Sequence, residues 1–337
     1  MSRVLPGEWE EHAATIVAWP TREAVWGTQL KAAEAEYAAL VNAIAEDERV
    51  LLVCRRDDQA RVRQQCSTEN VEILTHEIDD GWIRDNGPLF VKTQSPAPSV
   101  RAVVFGFNSW GERFAPTAGD LTVRCAIAGA LGIPVENATH AAVLEGGALS
   151  SNGGGAIMLA AECVLTTSRN PGMTRDAFDA MLRERLGANE ILWVPHGLVE
   201  DLPNTDGHVD NVAVFVAPRN VLVQKVDAQN PNYARLVRNV GALRDAHTAT
   251  GPLRVTECEV LPYAELANGE RQPVPYINFA LTNTSVLLPT AGDTQADDYA
   301  SALFAGIFPS RRVRFVPAVV MAYGGGGPHC VTMQVPK

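Results

Sequence analysis

Basic runs, long apolar stretches and closely spaced cysteine pairs are all missing from this chain. Lys and Arg number 28 against 39 Asp and Glu, a net charge of −11. An acidic chain without a basic run is a poor match for a phosphate backbone or an anionic membrane surface, so neither nucleic acid nor membrane is expected as a partner. The same balance favours, weakly, a cationic small molecule. No window reaches 18 uninterrupted apolar residues, so no membrane span is expected. The six cysteines, at 54, 66, 125, 163, 258 and 330, have no CxxC or other metal-ligand spacing. They are also too sparse for a disulfide scaffold, and a reduced, cytoplasmic compartment is expected. The first twenty residues lack a basic segment followed by an apolar one, which argues against a signal peptide.

What is present is a long chain, 337 residues, 46% of them apolar and 20% charged. That excludes disordered, collagenous and coiled-coil classes. Apolar residues at helical spacing predict helices over 29–48, 118–131, 174–186, 231–246 and 294–306, with a shorter one after the acidic pair Asp57–Asp58, to about 66. Strand-length apolar runs fall at 50–54, 71–74, 101–107, 156–166, 190–195, 212–217, 220–226, 253–261, 284–289 and 312–319. Strands and helices interleave throughout, an α/β signature with no dividing linker, so one domain over 1–337 is expected. The Pro/Ser patch Gln94–Ser99 reads as a loop between strands, and Asn152–Gly155 as a hairpin turn.

The polar clusters recur. Trp82, Glu145 and His208 lie 63 residues apart, Asn278 follows after 70 and Cys330 after 52. Each sits in a group of Gly, Asn, Asp or His beside an apolar run. Five units of about 65 residues would bring one cluster per unit to a shared centre.

Four segments carry chemistry. In Tyr323–Thr332 four glycines precede Pro328, His329 and Cys330. The glycines permit sharp turns and a close approach to a ligand. Too few residues follow for the helix a phosphate loop needs. Cys330 is therefore either a nucleophile or a structural thiol in a terminal strand. In Asp206–Asn211, a strand starting near His208 would place His208 and Asp210 on one face, suited to acid–base work or to charge recognition. Metal binding lacks a second His or Cys at ligand spacing, and a solvated Asx turn is the plain alternative. In Asp79–Pro88, Trp82 could stack on a ligand and Asp85 pair with its charge; an acidic surface turn with Arg84 in a salt bridge is the other reading. In Leu144–Gly147, Glu145 precedes two glycines that mark a strand edge. A Cys, a His, a Glu and two Asp suit attack on a guanidinium carbon. Two carboxylates hold the planar cation, the thiolate adds, and the His protonates departing ammonia and then activates water against the thiouronium.

GWIRDNGP (81–88), LEGG (144–147), DGHVDN (206–211), YINF (276–279) and GGGGPHCVT (324–332), in that order, with GEWEEHAATIVAWP (7–20) at the start, resemble the motif set of the agmatine deiminases. These belong to the guanidino-group-modifying superfamily and are similar to the bacterial-type peptidylarginine deiminases. The resemblance runs from about residue 7 to 336. It implies an α/β fold, a five-bladed pseudo-symmetric propeller (pentein), with the site at its centre and without metal or organic cofactor. It implies Cys330 as nucleophile, His208 as general acid/base, Glu145 pairing with that His, and Asp85 and Asp210 on the guanidinium. Trp82 would be a pocket wall beside Gly326 and Gly327. The expected reaction is hydrolytic deimination of a small cationic guanidino substrate, agmatine to N-carbamoylputrescine and ammonia, by a homo-oligomer. Deimination of another guanidino compound or of peptidyl arginine, amidino transfer, and guanidinium binding without turnover are the alternatives. The chain departs from the resemblance at Pro328, at Met333–Gln334 and at Asn204–Thr205, positions that bear on the substrate rather than on the chemistry.

Overall fold

A computed structural model describes residues 3–93, 99–115, 117–249, 251–265, 269 and 271–337. Apolar strands alternate with helices that bury one stripe, so the helices cover sheets, and the same short plan recurs. After a two-residue edge strand, Arg3–Val4, the first long strand β1 (His12–Ala18) leads through α1 (Leu30–Ala45) to β2 (Val50–Cys54), and then through α2 (Gln59–Gln65) to β3 (Val71–Thr75). A hairpin of β4 (Leu89–Thr93) and β5 (Ser99–Gly106) leads through α3 (Ala118–Ala130) to β6 (Val135–Val143). The pattern repeats with β7 (Leu149–Ser151), β8 (Ala156–Ala160), α4 (Arg175–Leu186) and β9 (Glu190–Val194), and again with β10 (Ala213–Ala217), β11 (Asn220–Gln224), α5 (Tyr233–Arg244) and β12 (Arg254–Cys258). It ends with β13 (Ala280–Leu281), β14 (Ser285–Thr290), α6 (Thr294–Ile307) and β15 (Arg312–Pro317), and the last strand is β16 (Thr332–Pro336).

In each unit two strands pair antiparallel, and the strand after the helix adds in parallel. A parallel neighbour needs a crossover connection, which the helix supplies. The first unit is completed from the far end of the chain: β16 pairs antiparallel with β1, and β1 runs parallel to β2. Five sheets of three or four strands result. The β2 strand is buried along its whole length, as a continuous apolar run predicts. Helix α4 starts where the Thr174 hydroxyl accepts the Ala177 N–H and stops at Gly187 in a left-handed conformation; α6 is capped by the Asp293 carboxylate.

The α/β reading holds, and the long helices lie where periodicity placed them, within two or three residues at the ends. Four predicted strands ran two or more residues too long, among them 220–226, which ends at Gln224, and 253–261, which ends at Cys258. The run at 156–166 leaves the sheet after Ala160 for a helical turn, Ala161–Val164, and that at 312–319 gives way to a short helix, Val319–Tyr323. Apolarity continues through both, so it marks burial and not conformation. The Asn152–Gly155 hairpin turn is present: the Asn152 side chain accepts the Gly154 and Ala156 N–H groups, and Gly153 and Gly155 have positive φ. Residues 94–98 of the expected Gln94–Ser99 loop lie outside the described residues. No described helix is long and apolar enough to cross a membrane.

Candidate active site

Each of the five units contributes the segment that runs into its hairpin. Asp85 stands in a helical turn, Ile83–Asn86, ahead of β4. Glu145 precedes the turn Gly146–Ala148 ahead of β7, and His208 precedes the turn Val209–Asn211 ahead of β10. Asn278 and Cys330 lie just before β13 and β16. These equivalent positions converge. Asn278 Nδ2 donates to Cys330 Sγ at 3.2 Å and to Asn211 Oδ1 at 3.1 Å. The Cys330 thiol faces Asp210 Oδ2 at 3.5 Å, and His208 Nδ1 lies 3.7 Å from Asp85 Oδ2. Of the residues singled out in the sequence, Asp85, His208, Asp210 and Cys330 lie together here.

A cavity of about 420 Å³ opens onto Asp85, His208 and Cys330, with Trp82, Trp110, Phe114, Val25 and Asn204 around it. The Trp82 indole stacks on Trp26 at 5.5 Å between ring centroids and donates to Asp80 Oδ2, so it is a fixed wall. Asp80 also accepts the Trp26 indole N–H and the Thr21 and Arg22 backbone N–H groups. Glycine is required at the crowded points. A Cβ on Gly147 would lie 2.6 Å from His208 Nδ1 and 2.9 Å from oxygens of both Asp85 and Asp210. One on Gly326 would lie 2.6 Å from the Trp82 ring and 3.1 Å from Cys330 Sγ, and one on Gly327 2.7 Å from Asn278 Oδ1.

The two carboxylates are held differently. Asp85 Oδ2 accepts the Trp110 indole N–H at 2.9 Å and Oδ1 the Gly147 N–H at 2.9 Å. Burial pushes its carboxyl up; the nearby His208 pulls it back, and Asp210 and Glu145 push it further, so it rests above the usual range. Asp210 is buried as deeply, but the His329 hydrogen bond and the charges of His329, His208 and Arg84 outweigh burial and hold it below that range. Burial also disfavours the His208 cation, yet Asp85, Cys163 and Asp210 raise its pKa well above that of an ordinary imidazole. Burial and the charges of Asp210 and Asp85 push the Cys330 thiol well up, against the Gly327 N–H and Asn278, which favours its protonated form. Asp210 Oδ1 and both ring nitrogens of His208 are buried without hydrogen-bond partners among the described residues. Such groups are costly alone, and the unpaired Asp210 oxygen suits a ligand that offers N–H donors.

Two expectations need correction. Glu145 does not pair with His208. Both of its oxygens accept from Arg169 Nε, at 2.8 and 3.1 Å, and Arg169 also bonds Asp206 and the Thr205 carbonyl. A buried carboxylate takes the strongest fixed donor within reach, and no pattern in the sequence linked Arg169 to LEGG. Nor do His208 and Asp210 share a strand face, because the strand starts only at Ala213. The approach is shaped by Asp206 and Gly207 at positive φ, and by Asp201 Oδ2, which accepts from the His208 N–H, the Thr205 hydroxyl and Asn211 Nδ2.

Sequence reasoning did not pick out Asn278 as a thiol partner or Trp110 as a carboxylate clamp. Trp110 is aimed by an unusual turn in which Ser109, Trp110 and Glu112 all have positive φ. The Asn108–Gly111 stretch was the only available sign. One trio has metal-ligand chemistry: Glu145, Cys163 and His208 place donor atoms within 4.8 Å of one another. The Arg169 guanidinium already occupies both Glu145 oxygens, and a fixed positive charge there opposes a cation.

The family model for Porphyromonas-type peptidyl-arginine deiminases matches residues 4–336. An agmatine deiminase of Ectopseudomonas mendocina is 34% identical, with 98% of this chain and 95% of that protein aligned. The solved structure described as agmatine deiminase of Enterococcus faecalis catalysing its reaction superposes with a TM-score of 0.93 at 27% identity, covering 100% of this chain and 96% of the other. A dimethylarginine dimethylaminohydrolase superposes with a TM-score of 0.52 over 96% of this chain and 99% of its own; at 13% identity it speaks to the mixed α/β fold alone.

Proposed function

Because this chain belongs to the Porphyromonas-type peptidyl-arginine deiminase family, of whose agmatine deiminases it shares the hydrolase chemistry on amidine C–N bonds, we propose that it deiminates agmatine through a covalent Cys330 intermediate. The products are N-carbamoylputrescine and ammonia. The five units close into a five-bladed propeller around this site; the pairing of the first long strand with the last, and the convergence of five equivalent connections, support that arrangement.

The observation that carries the reading is a buried thiol between two differently held carboxylates, beside an imidazole with both nitrogens free. The guanidinium lies against Asp85 and Asp210, which accept its N–H groups by charge-assisted hydrogen bonds. Its charge offsets the carboxylates that suppress Cys330 ionisation, so the thiol releases its proton to solvent when substrate arrives. The thiolate adds to the central carbon. His208 protonates one nitrogen, and ammonia leaves with the C–N pair, giving a thiouronium. Neutral His208 then takes a proton from water and the hydroxide adds to the same carbon; the C–S bond breaks with its electron pair on sulfur, the carbon-bound hydroxyl gives up its proton to that sulfur, and the Cys330 thiol and a neutral ureido group are returned. Trp82 and Trp110 narrow the cavity around the planar cation.

The test is ammonia and ureido release from agmatine, arginine, a peptide ending in arginine and other guanidines, with Cys330→Ala as control. Cys330-dependent turnover of agmatine above the others is expected. Turnover of another member alone would move the substrate, and normal turnover by Cys330→Ala would remove the covalent route.

A further inference from the structure

Glu8 comes from the turn that precedes β1, at the opposite end of the chain from Cys330, yet it reaches the back of the site. His329 Nε2 lies 3.0 and 3.1 Å from the two Glu8 oxygens, and His329 Nδ1 lies 2.8 Å from Asp210 Oδ2. A neutral imidazole has one N–H and could donate to only one of two ionised carboxylates. Satisfying both requires the imidazolium. Arg84 Nη1 is 3.4 Å from Glu8, and its Nε donates to the His329 carbonyl at 3.2 Å. Glu8 and Asp210 with Arg84 and His329 make a neutral quartet, and the side chains of His329, Asp210 and Arg84 are almost fully buried. Glu8 is the most exposed of the four, and with Arg84 and Gln334 it lines a second, open pocket.

We infer that Glu8 and His329 are positioning residues for the substrate-binding carboxylate Asp210: a buried imidazolium clamped between the two carboxylates keeps Asp210 ionised and leaves its Oδ1 for the guanidinium. The inference rests on the deiminase reading for Asp210's part in binding. The charged and titratable groups involved are few. Asp210 is faced by His329, His208, Arg84, Asp85, Asp201 and Cys330; His329 by Glu8, Asp210 and Arg84; Glu8 by His329, Arg84 and His12. Burial works against the charged forms of Glu8 and His329, but their mutual attraction prevails: the Glu8 carboxyl sits well below its usual range and the His329 imidazole above its own. Without the Glu8 charge His329 loses its second acceptor and its proton, and Asp210 then loses the cation that holds it ionised.

The experiment compares wild type with Glu8→Gln, Glu8→Asp and His329→Gln in two ways. The acid limb of kcat/KM for the guanidine turned over best should move up by about one pH unit or more in Glu8→Gln, with KM raised more than kcat is lowered, and Glu8→Asp should restore most of it. A merely structural Glu8 would lower kcat/KM evenly at every pH. Independently, nitrogen NMR of histidine-labelled protein should show His329, assigned by its loss in His329→Gln, protonated on both nitrogens in wild type well above about pH 7, and singly protonated there in Glu8→Gln. A singly protonated His329 in wild type at neutral pH overturns the proposal, and so does an unchanged pH limb in a folded Glu8→Gln. If no guanidine is turned over, the deiminase reading fails while the spectrum still decides the charge of His329. If Glu8→Gln does not fold, the wild-type spectrum and the pH profile of His329→Gln make the same decision.

Discussion

The Trp110 indole N–H donates to Asp85 Oδ2 at 2.9 Å, and the Gly147 N–H holds the other oxygen at the same distance. A carboxylate with one neutral donor on each oxygen cannot swing, and its remaining lone pairs have a fixed direction. Trp110→Phe keeps an aromatic ring between Phe107 and Phe114 and removes the donor with the rest of the indole. Hydrogen bonds to charged groups are worth about 1.5–3 kcal/mol, which corresponds to roughly 10- to 150-fold in kcat/KM. The loss should fall on guanidine turnover with little change in melting temperature. Steady-state kinetics beside a thermal melt check both halves; an undiminished kcat/KM would show that Asp85 needs no clamp.

Gly147→Ala tests the same corner by volume. The added Cβ would stand within 3 Å of His208, Asp85 and Asp210 at once, and these are the groups the proposed reaction uses. Contacts that short force displacement of side chains that are themselves fixed by hydrogen bonds. Turnover should fall at least about a hundredfold, the scale expected when reacting groups shift by about an ångström. Circular dichroism would report a folded protein. Near-normal activity would mean that the three side chains do not meet over Gly147.

Periodicity located the long helices and the apolar strands because those signals are local: a buried stripe needs apolar residues at fixed spacing wherever the helix packs. The recurrence of Trp82, Glu145, His208, Asn278 and Cys330 was legible for the same reason, since each precedes the hairpin of a repeating unit. What was not legible depends on contacts between distant segments. Strand β6 alternates between buried and exposed positions without a clean apolar pattern, and β1 was hidden in a stretch read only as a motif. Arg169 meets Glu145 across 24 positions, and Glu8 meets His329 across 321. No spacing rule links such pairs. His208 and Asp210 are carried by a tight turn and not by the strand face that alternation suggested.

The Arg169–Glu145 pair predicts an asymmetry in stability. Both side chains are fully buried, so the attraction between them is set against a large desolvation cost. Arg169→Met leaves Glu145 as an uncompensated buried charge and should cost about 3–5 kcal/mol. Adding Glu145→Gln removes that charge, so the double variant should recover part of the loss. Denaturant unfolding of the two singles and the double closes the cycle. A double variant less stable than Arg169→Met by the full cost of Glu145→Gln alone would show that the two do not interact.

Cys330 alkylation tests how the nucleophile is activated. Burial and the negative charges of Asp210 and Asp85 place its pKa well above the ordinary thiol value, so the thiolate fraction at neutral pH is smaller than in an exposed cysteine. Iodoacetamide modification of the Cys330 peptide, followed by mass spectrometry in the absence of substrate, should therefore keep rising with pH beyond about 8.5, where a free cysteine is half ionised. The exposed Cys125 will also react, which makes site-resolved detection necessary. Asp210→Asn removes a neighbouring negative charge, and by the sign of that interaction it should shift the Cys330 profile to lower pH even as it impairs turnover. Bound guanidinium cancels the same charge without mutation, so ionisation and substrate binding become one event, and the thiolate exists chiefly when there is a carbon for it to attack. A Cys330 that alkylates fastest of all, with its plateau reached below about pH 8, would mean a resting thiolate, and the activation would then have to come from the protein alone.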